Sequence, residues 1–160
     1  VSAVGRRGKM EHTFHNIHIH LIFAVNKRER VISREWKNEL YQYMAGIIKN
    51  KGQHAILING EMDHVHLLIG MNPNISISDL VRDIKANSSS FINEKKFIRS
   101  KFSWQRGYAA FSVGRSEMEK VLNYIQNQEE HHRGKTLREE YELLLDRYGI
   151  SFDKKYLLGD

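Results

Sequence analysis

The sequence predicts an α+β fold of the ferredoxin-like type: an antiparallel βαββαβ sheet with helices on one face, followed by two C-terminal helices. Segment 16–26 alternates apolar and polar residues, 53–60 and 64–70 are short apolar runs, and 107–114 is typical of a further short strand. Between and after these segments, apolar residues recur at the spacing of an amphipathic helix. The order of these patterns along the chain gives the fold class.

The strand predictions follow from period and spacing. Alternate positions of 16–26 are apolar and would share one face of a strand: Ile17, Ile19, Leu21, Phe23 and Val25. The runs 53–60 and 64–70 are separated by Glu61-Met62-Asp63, which predicts a β-hairpin.

Capping residues predict where the four helices begin. Starts are expected at Ser33, Ser76, Ser116 and Thr136, and the last three carry an acidic residue three positions later, as in a capping box. Glycines that follow the helical periods predict where three of these helices end: Gly52, Gly134 and Gly149.

The length of 160 residues is typical of one domain. We expect residues 1–10, which are rich in Gly and Arg and lack a period, to form a flexible leader, and residues 11–160 to form a single domain. No apolar run reaches the roughly 20 residues that span a bilayer, and no signal-peptide core is present. These features predict a cytoplasmic protein that has no membrane partner.

Composition narrows the classes of function. The chain has no Cys, which excludes a disulfide framework, a thiolate zinc finger and a cysteine nucleophile. Lys+Arg exceed Asp+Glu by 25 to 19, which gives a formal net charge of +6. A basic surface of this kind suits a polyanionic partner, of which nucleic acid is the commonest.

His64-Val65-His66 is the first candidate site. In a strand both imidazoles point to the same face, which we expect to be open, while Val65 points to the core. Two histidines aimed together in this way can chelate one metal ion. The alternative is a solvated sheet face with two incidental histidines.

A second pair, His18 and His20, lies on the less apolar face of the first strand. The first and third strands are neighbours in a ferredoxin-like sheet, so the four histidines could lie close together as a zinc site. The alternatives are that His18 and His20 support the other pair, face DNA or pack as polar residues.

Tyr124 begins the second candidate motif. It flanks the apolar stripe of its predicted helix, and Gln128 and His131 follow at one-turn intervals on the same edge. A tyrosine, an amide and an imidazole on one edge could complete a metal site. The alternative is an amphipathic helix edge on which His131 and His132 interact favourably with the C-terminal dipole.

Together these motifs resemble the single-tyrosine HUH transposases of the IS200/IS605 type, including the REP-associated tyrosine transposases. The resemblance runs from about His15 to Leu158. Its landmarks are IHLIFAVNKRE, DHVHLLIG, ISDLVRDIKANSSSFI, FSWQRGYAAFSVGRS, VLNYIQNQEEHH and the closing TLREEYELLL.

The resemblance implies a chemistry for the site. Tyr124 would be the nucleophile that forms a 5′-phosphotyrosine and frees a 3′ hydroxyl, so that single strands are cleaved and rejoined. His64, His66 and Gln128 would hold one divalent metal ion per site, Mg²⁺ or Mn²⁺. Ligand chemistry alone would prefer His131 over Gln128, because imidazole is the stronger ligand.

The resemblance also implies partners. The substrate would be single-stranded DNA with a hairpin at the element end, the protein would be nucleoid-associated when bound to DNA, and it would be a homodimer whose tyrosine helix can complete the partner's site. Candidate backbone-binding residues are Lys27, Arg28, Arg30, Arg82, Lys85 and Arg106. Trp104, Tyr108 and Phe111 are candidates for base stacking or, equally, for the core.

Two other classes of function compete with this hypothesis. One is a catalytically silent or domesticated nucleic-acid-binding module on an RRM-like sheet, although the first and third strands lack the aromatic pattern of such sheets. The other is a phosphodiesterase that uses water as its nucleophile, although few acidic residues accompany the His pair.

Overall fold

A computed structural model of the chain describes residues 13–128 and 135–153. The predicted leader, the end of the predicted domain, Gly134, His131 and His132 lie outside these residues. The strands are β1 (Ile17–Ala24), β2 (His54–Glu61), β3 (His64–Met71) and β4 (Ala109–Ser112). The helices are α1 (Lys37–Asn50), α2 (Ile77–Lys95), α3 (Met118–Gln126) and α4 (Leu137–Arg147), and short 3₁₀ turns occupy Asn26–Arg28 and Arg115–Glu117.

The four strands form one antiparallel sheet in the order β2-β3-β1-β4. This is the order of a ferredoxin-like sheet, so the predicted α+β fold class is confirmed. The central strands β1 and β3 pair in a register that places Ala24 opposite His64, and Ile22 opposite His66. The hairpin between β2 and β3 turns at Met62 and Asp63.

The two faces of the sheet are covered by different helices. From Ile19 onward, residues at odd positions of β1 and β3 pack against α1 and α2 in the main core, as the alternation in β1 predicts, whereas Ile17 at the start of β1 is exposed. The C-terminal helices pack on the opposite face, where α3 contacts Leu68, and α4 contacts Ile22.

The expectation that the histidines lie on an open sheet face is therefore wrong. His20, His64 and His66 are buried beneath α3 and α4. The sequence carries a sign of this, because Ile22 and Leu68 are apolar residues on the histidine face. Strands that are apolar on both faces are covered on both faces.

Two of the four predicted helix caps are confirmed. The Ser76 hydroxyl accepts a hydrogen bond from the Asp79 amide, and the Thr136 hydroxyl accepts one from the Glu139 amide. Ser33 and Ser116 are wrong as side-chain caps. The backbone carbonyl of Ser33 accepts from the amides of Trp36 and Lys37 ahead of α1, and Ser116 lies inside the 3₁₀ turn that precedes α3.

Within the described residues, no helix combines the length and the apolar character that crossing a bilayer requires.

Gly60 and Gly46 give a matched test of this packing. A Cβ at Gly60 would meet the backbone of the neighbouring strand, 2.9 Å from the Val65 Cα, whereas a Cβ at Gly46 on α1 would meet nothing within 4 Å. We expect Gly60→Ala to destabilise the protein by about 1–3 kcal/mol and Gly46→Ala to stabilise it by about 0.5–1 kcal/mol. Urea unfolding measures both, and a Gly60→Ala variant as stable as the wild type would contradict the register.

Candidate active site

His64 and His66 lie in the middle layer of the molecule, on the face of β3 that α3 and α4 cover. Each ring is oriented by a hydrogen bond at Nδ1. The His64 Nδ1 lies 2.8 Å from Asp63 Oδ1, and the His66 Nδ1 lies 2.8 Å from His20 Nε2. Both Nε2 atoms therefore point away from these partners and toward the covering helices. Such outer hydrogen bonds fix the orientation of a metal-binding imidazole.

His20 is one of the supporting residues that the sequence left as an alternative. It is buried, and its ring stacks on that of His66 at 5.1 Å. Burial, followed by the neighbouring His66, lowers the pKa of His20 to about 3, so its ring is neutral. His18 is only partly buried and is not part of the group of close ligand atoms found among the described residues.

Tyr124 is carried to the histidines by α3. Val121 and Ile125 of this helix pack on Leu68, and Tyr124 flanks that apolar stripe as the sequence predicted. Its ring lies 5.6 Å from the ring of His66 in an edge-on arrangement. Both residues belong to the same chain, so one chain brings the tyrosine to its own histidine pair.

Gln128 follows Tyr124 by one helical turn and is fully buried. Its Nε2 donates to the backbone carbonyl of Tyr124 at 3.3 Å, which leaves Oε1 facing His64 Nε2 at 3.2 Å. The structure thus brings together the four residues that the sequence put forward as nucleophile and metal ligands.

Glu140 also enters this site, and the sequence analysis did not find it. Its carboxylate lies with Oε1 3.1 Å from His66 Nε2 and Oε2 3.5 Å from His64 Nε2. The Tyr124 hydroxyl donates a short hydrogen bond to Glu140 Oε1. One buried carboxylate therefore touches both histidines and the tyrosine.

A signal for Glu140 was present in the sequence. Leu137, Tyr141 and Leu144 form the buried stripe of α4, and Glu140 lies within that stripe, 5% exposed. An acidic residue at a core position of an amphipathic helix needs a partner, because burial of an unpaired charge is costly.

The donor set of the site fits a cation. His64, His66 and Glu140 have one ligand atom each within 4.8 Å of one another. The separations of 3.1, 3.2 and 3.5 Å among these atoms and Gln128 Oε1 are close to the roughly 3.0–3.4 Å between neighbouring ligands when metal bonds are about 2.1 Å long. Two imidazole nitrogens, an amide oxygen and a carboxylate facing one point could hold a divalent ion.

The same surroundings keep Tyr124 protonated. Burial, and then the charge of the neighbouring Glu140, raises the pKa of the Tyr124 hydroxyl well above its usual value. A positive charge placed among these side chains would act in the opposite direction.

The candidate backbone-binding residues fall into two groups. Lys27, Arg28 and Arg30 are exposed just after β1, close to the site, because Ala24 pairs with His64 and the Val25 amide donates to the Asp63 carbonyl. The second group belongs to the opposite layer: Arg82 and Lys85 lie on α2.

Arg106 adjoins the second group, because Lys85 Nζ donates to the carbonyls of the residues on either side of it. It is exposed and lines an apolar groove between β4 and α4 of about 640 Å³, together with Tyr108.

The three aromatic residues differ in their surroundings. Trp104 donates its indole N–H to Ser88 Oγ at 2.9 Å and packs edge-on against the core ring of Phe23. Phe111 is buried against the ring of Tyr148. Tyr108 is 41% exposed, so it alone of the three presents much of its side chain to solvent.

These findings define a class: an antiparallel ferredoxin-like sheet whose third strand carries a buried His-hydrophobic-His pair beside a tyrosine helix. Residues 13–128 match the family model described as "Transposase IS200 like". The chain therefore belongs to the IS200-like transposases, which are DNA-processing enzymes, and the resemblance drawn from the sequence is confirmed.

Individual relatives agree with this assignment. The chain is 27% identical over 130 residues to the transposase of insertion sequence IS200 from Salmonella typhimurium, covering 78% of this chain and 85% of that one. It is 25% identical over 119 residues to the ISDra2 transposase TnpA of Deinococcus radiodurans, covering 71% and 85% of the two chains.

Two solved structures share the fold. A crystal structure of a Deinococcus radiodurans R1 protein assigned as a transposase has a TM-score of 0.60 at 24% identity, covering 73% of this chain and 94% of that one. A REP-associated tyrosine transposase bound to a REP hairpin has a TM-score of 0.59 at 11% identity, covering 75% and 70%.

Lys85 lies on α2, in the helix layer on the other side of the sheet from the site. The pH dependence of stability tests its contacts there. Its Nζ donates to the carbonyl of Gln105 at 2.8 Å and to that of Gly107, and burial lowers its pKa from 10.5 to about 8. Between pH 8 and 10.5 the unfolded chain binds more protons than the folded one at this residue, so its contribution to stability rises with pH.

We therefore expect the stability of the wild type, relative to Lys85→Met, to increase from pH 8 to pH 10 in urea unfolding. Lys49→Met, at an exposed position of α1, is the control and should show no such increase. A pH-independent difference between the wild type and Lys85→Met would contradict the assignment.

Proposed function

We propose that this transposase cleaves and rejoins single-stranded DNA at hairpin-bearing element ends through a 5′-phosphotyrosine at Tyr124, with one divalent metal ion per site. The observation that carries the proposal is the contact of the Tyr124 hydroxyl with a buried carboxylate that also touches both histidines. A nucleophile next to a metal-ligand group is the arrangement that phosphoryl transfer needs.

The ligands proposed for the metal ion are His64, His66 and Gln128, to which the geometry adds Glu140. When bound, Mg²⁺ or Mn²⁺ would polarise the scissile phosphate and offset the charge that develops in the transfer. Asp63 and His20 would hold the two imidazole rings with Nε2 turned toward that ion.

The chemical step uses Tyr124 as the nucleophile. Its Oη forms a bond to phosphorus, the bond from phosphorus to the 3′ oxygen breaks, and that oxygen takes up a proton to become a 3′ hydroxyl. The hydroxyl proton of Tyr124 lies on the hydrogen bond to Glu140 Oε1, so this carboxylate can accept it. The phosphotyrosine keeps the phosphodiester energy, so a second 3′ hydroxyl can reverse the step.

A structured single strand is the proposed substrate. The likeness in fold to a REP-associated tyrosine transposase that is bound to a REP hairpin supports it. Lys27, Arg28 and Arg30 would meet the DNA backbone near the site, because they follow the end of β1 next to Asp63. The DNA would reach Arg82, Lys85 and Arg106 only if the strand continued from the site around the sheet.

The homodimer remains a proposal from the resemblance. The exchange of tyrosine helices between the two protomers is part of the same proposal; within one chain α3 lies against the histidine pair.

Tyr124→Phe tests the nucleophile. The variant should form no SDS-resistant protein–DNA adduct with end-labelled single-stranded element ends and Mn²⁺, while its hairpin affinity stays within a few fold of the wild type, because only the hydroxyl is removed. Tyr43→Phe, at an exposed position of α1, is the matched control. An adduct at the normal rate from Tyr124→Phe would assign the nucleophile elsewhere.

Glu140→Gln tests the metal site. Loss of a buried ligand charge should weaken Mn²⁺ binding at least tenfold in calorimetry, and His64→Ala should abolish it. Gln128→Ala should bind more weakly but recover adduct formation in excess Mn²⁺, because an amide is the weakest of the four donors. Glu139→Gln removes the same charge from the exposed side of α4 and is the control; equal Mn²⁺ affinity in the two Glu→Gln variants would exclude Glu140 as a ligand.

A further inference from the structure

We infer that Asn59 is a positioning residue for the proposed site: it fixes the end of α3 and, through it, Tyr124 and Gln128 over the histidine pair. This inference rests on the proposed function, because it assigns Asn59 a role in the metal site and the nucleophile described above. Asn59 belongs to neither motif of the sequence analysis, and its side-chain amide donates to the end of α3.

The contact that carries the inference joins the sheet to the helix end. The Asn59 Nδ2 donates to the carbonyl of Ile125 at 2.8 Å and to that of Gln126 at 3.2 Å. The last carbonyls of a helix have no partner within the helix. Asn59 supplies that partner at two of the three positions that lie between Tyr124 and Gln128 in the sequence.

The register of the sheet connects this contact to the metal ligands. Asn59 on β2 is the cross-strand neighbour of His66 on β3. Side chains of such a pair lie on the same face about 4.5–5.5 Å apart at Cβ. The amide that holds the helix end is therefore set at a fixed distance from one of the two histidines, on a strand that cannot slide without breaking the sheet.

Apart from the contacts that Tyr124 and Gln128 make within the site, the other anchors of α3 have little directional character. The helix has only nine residues, and its N-terminal end has no side-chain cap. Val121 and Ile125 pack on Leu68 and hold the helix against the sheet. Apolar packing is non-directional, so it retains the helix without fixing its rotation or its position along the axis.

These contacts predict how loss of Asn59 would act. The helix should remain on the sheet, so the fold should persist. The Gln128 amide oxygen should no longer be held 3.2 Å from His64 Nε2, and the Tyr124 hydroxyl should no longer be held at Glu140. Displacement of Gln128 and Tyr124 from these positions lowers both the metal affinity and the rate at which the hydroxyl attacks phosphorus.

The test is a double-mutant cycle between Asn59→Leu and Gln128→Ala, with Mn²⁺ binding to the DNA-free protein measured by calorimetry. We expect Asn59→Leu alone to weaken Mn²⁺ binding about tenfold, and to weaken it less than twofold when Gln128 is already Ala. Additive effects, or an unchanged Mn²⁺ affinity in Asn59→Leu, would overturn the inference, because a residue that serves only the fold would not depend on Gln128.

Two further arms make the result decisive. Asn87→Leu is the matched control, because Asn87 also donates its side-chain amide to a helix carbonyl, that of Asp83, but on α2 in the opposite layer. Its Mn²⁺ affinity should equal that of the wild type. If Asn59→Leu does not fold, Asn59→Ser, which keeps a shorter donor, carries the same cycle with the same expected coupling.

Failure of the proposed function gives a different result. A wild type that binds no Mn²⁺ and forms no adduct would overturn the metal site, and this inference with it. A wild type that binds Mn²⁺ and forms the adduct, with additive variants, would overturn only the role of Asn59.

Discussion

Burial of the histidine face beneath α3 and α4 is the constraint on which the candidate site depends. It places two imidazoles, an amide oxygen and the carboxylate of Glu140 around one point with little access for water. Groups that accept hydrogen bonds or carry negative charge are costly to bury together unless a cation or shared protons lie between them. The sheet, α3 and α4 each supply part of this set, so the site exists only when all three are packed.

The sequence reveals the parts of the site that have local spacing and conceals those that do not. His64 and His66 are recognisable because a strand places alternate residues together, and Tyr124 and Gln128 because a helical turn does. Glu140 was missed because it stands among charged neighbours in α4, and only its membership of the buried stripe distinguishes it. Contacts between segments that are distant in the sequence leave no periodic pattern from which they could be predicted.

The same distinction explains the outcome for the fold. The fold class and most of the main core follow from alternation and from helical periods, and the fold class was predicted correctly. The covered histidine face was not, because His18 and His20 made that face of β1 look polar while Ile22 indicated burial. Ser33 and Ser116 carry the composition of a cap without its geometry, since a turn separates Ser33 from α1 and Ser116 lies inside the 3₁₀ turn before α3.

The charge of the site bears on the role proposed for Tyr124 as the nucleophile. With Glu140 as its nearest charged neighbour, the hydroxyl is harder to ionise than in water, so the protein alone disfavours the phenolate. Among the close ligand atoms of the described residues, Glu140 supplies the carboxylate and two histidines supply imidazole nitrogens. A divalent ion bound there would leave the ligand set with a net charge of about +1, which favours both a phenolate and a phosphodiester anion. A ligand set with two or three carboxylates would cancel that charge. A ligand set with a single carboxylate therefore suits the proposed tyrosine nucleophile, whereas a nuclease that activates water between two metal ions needs several carboxylates.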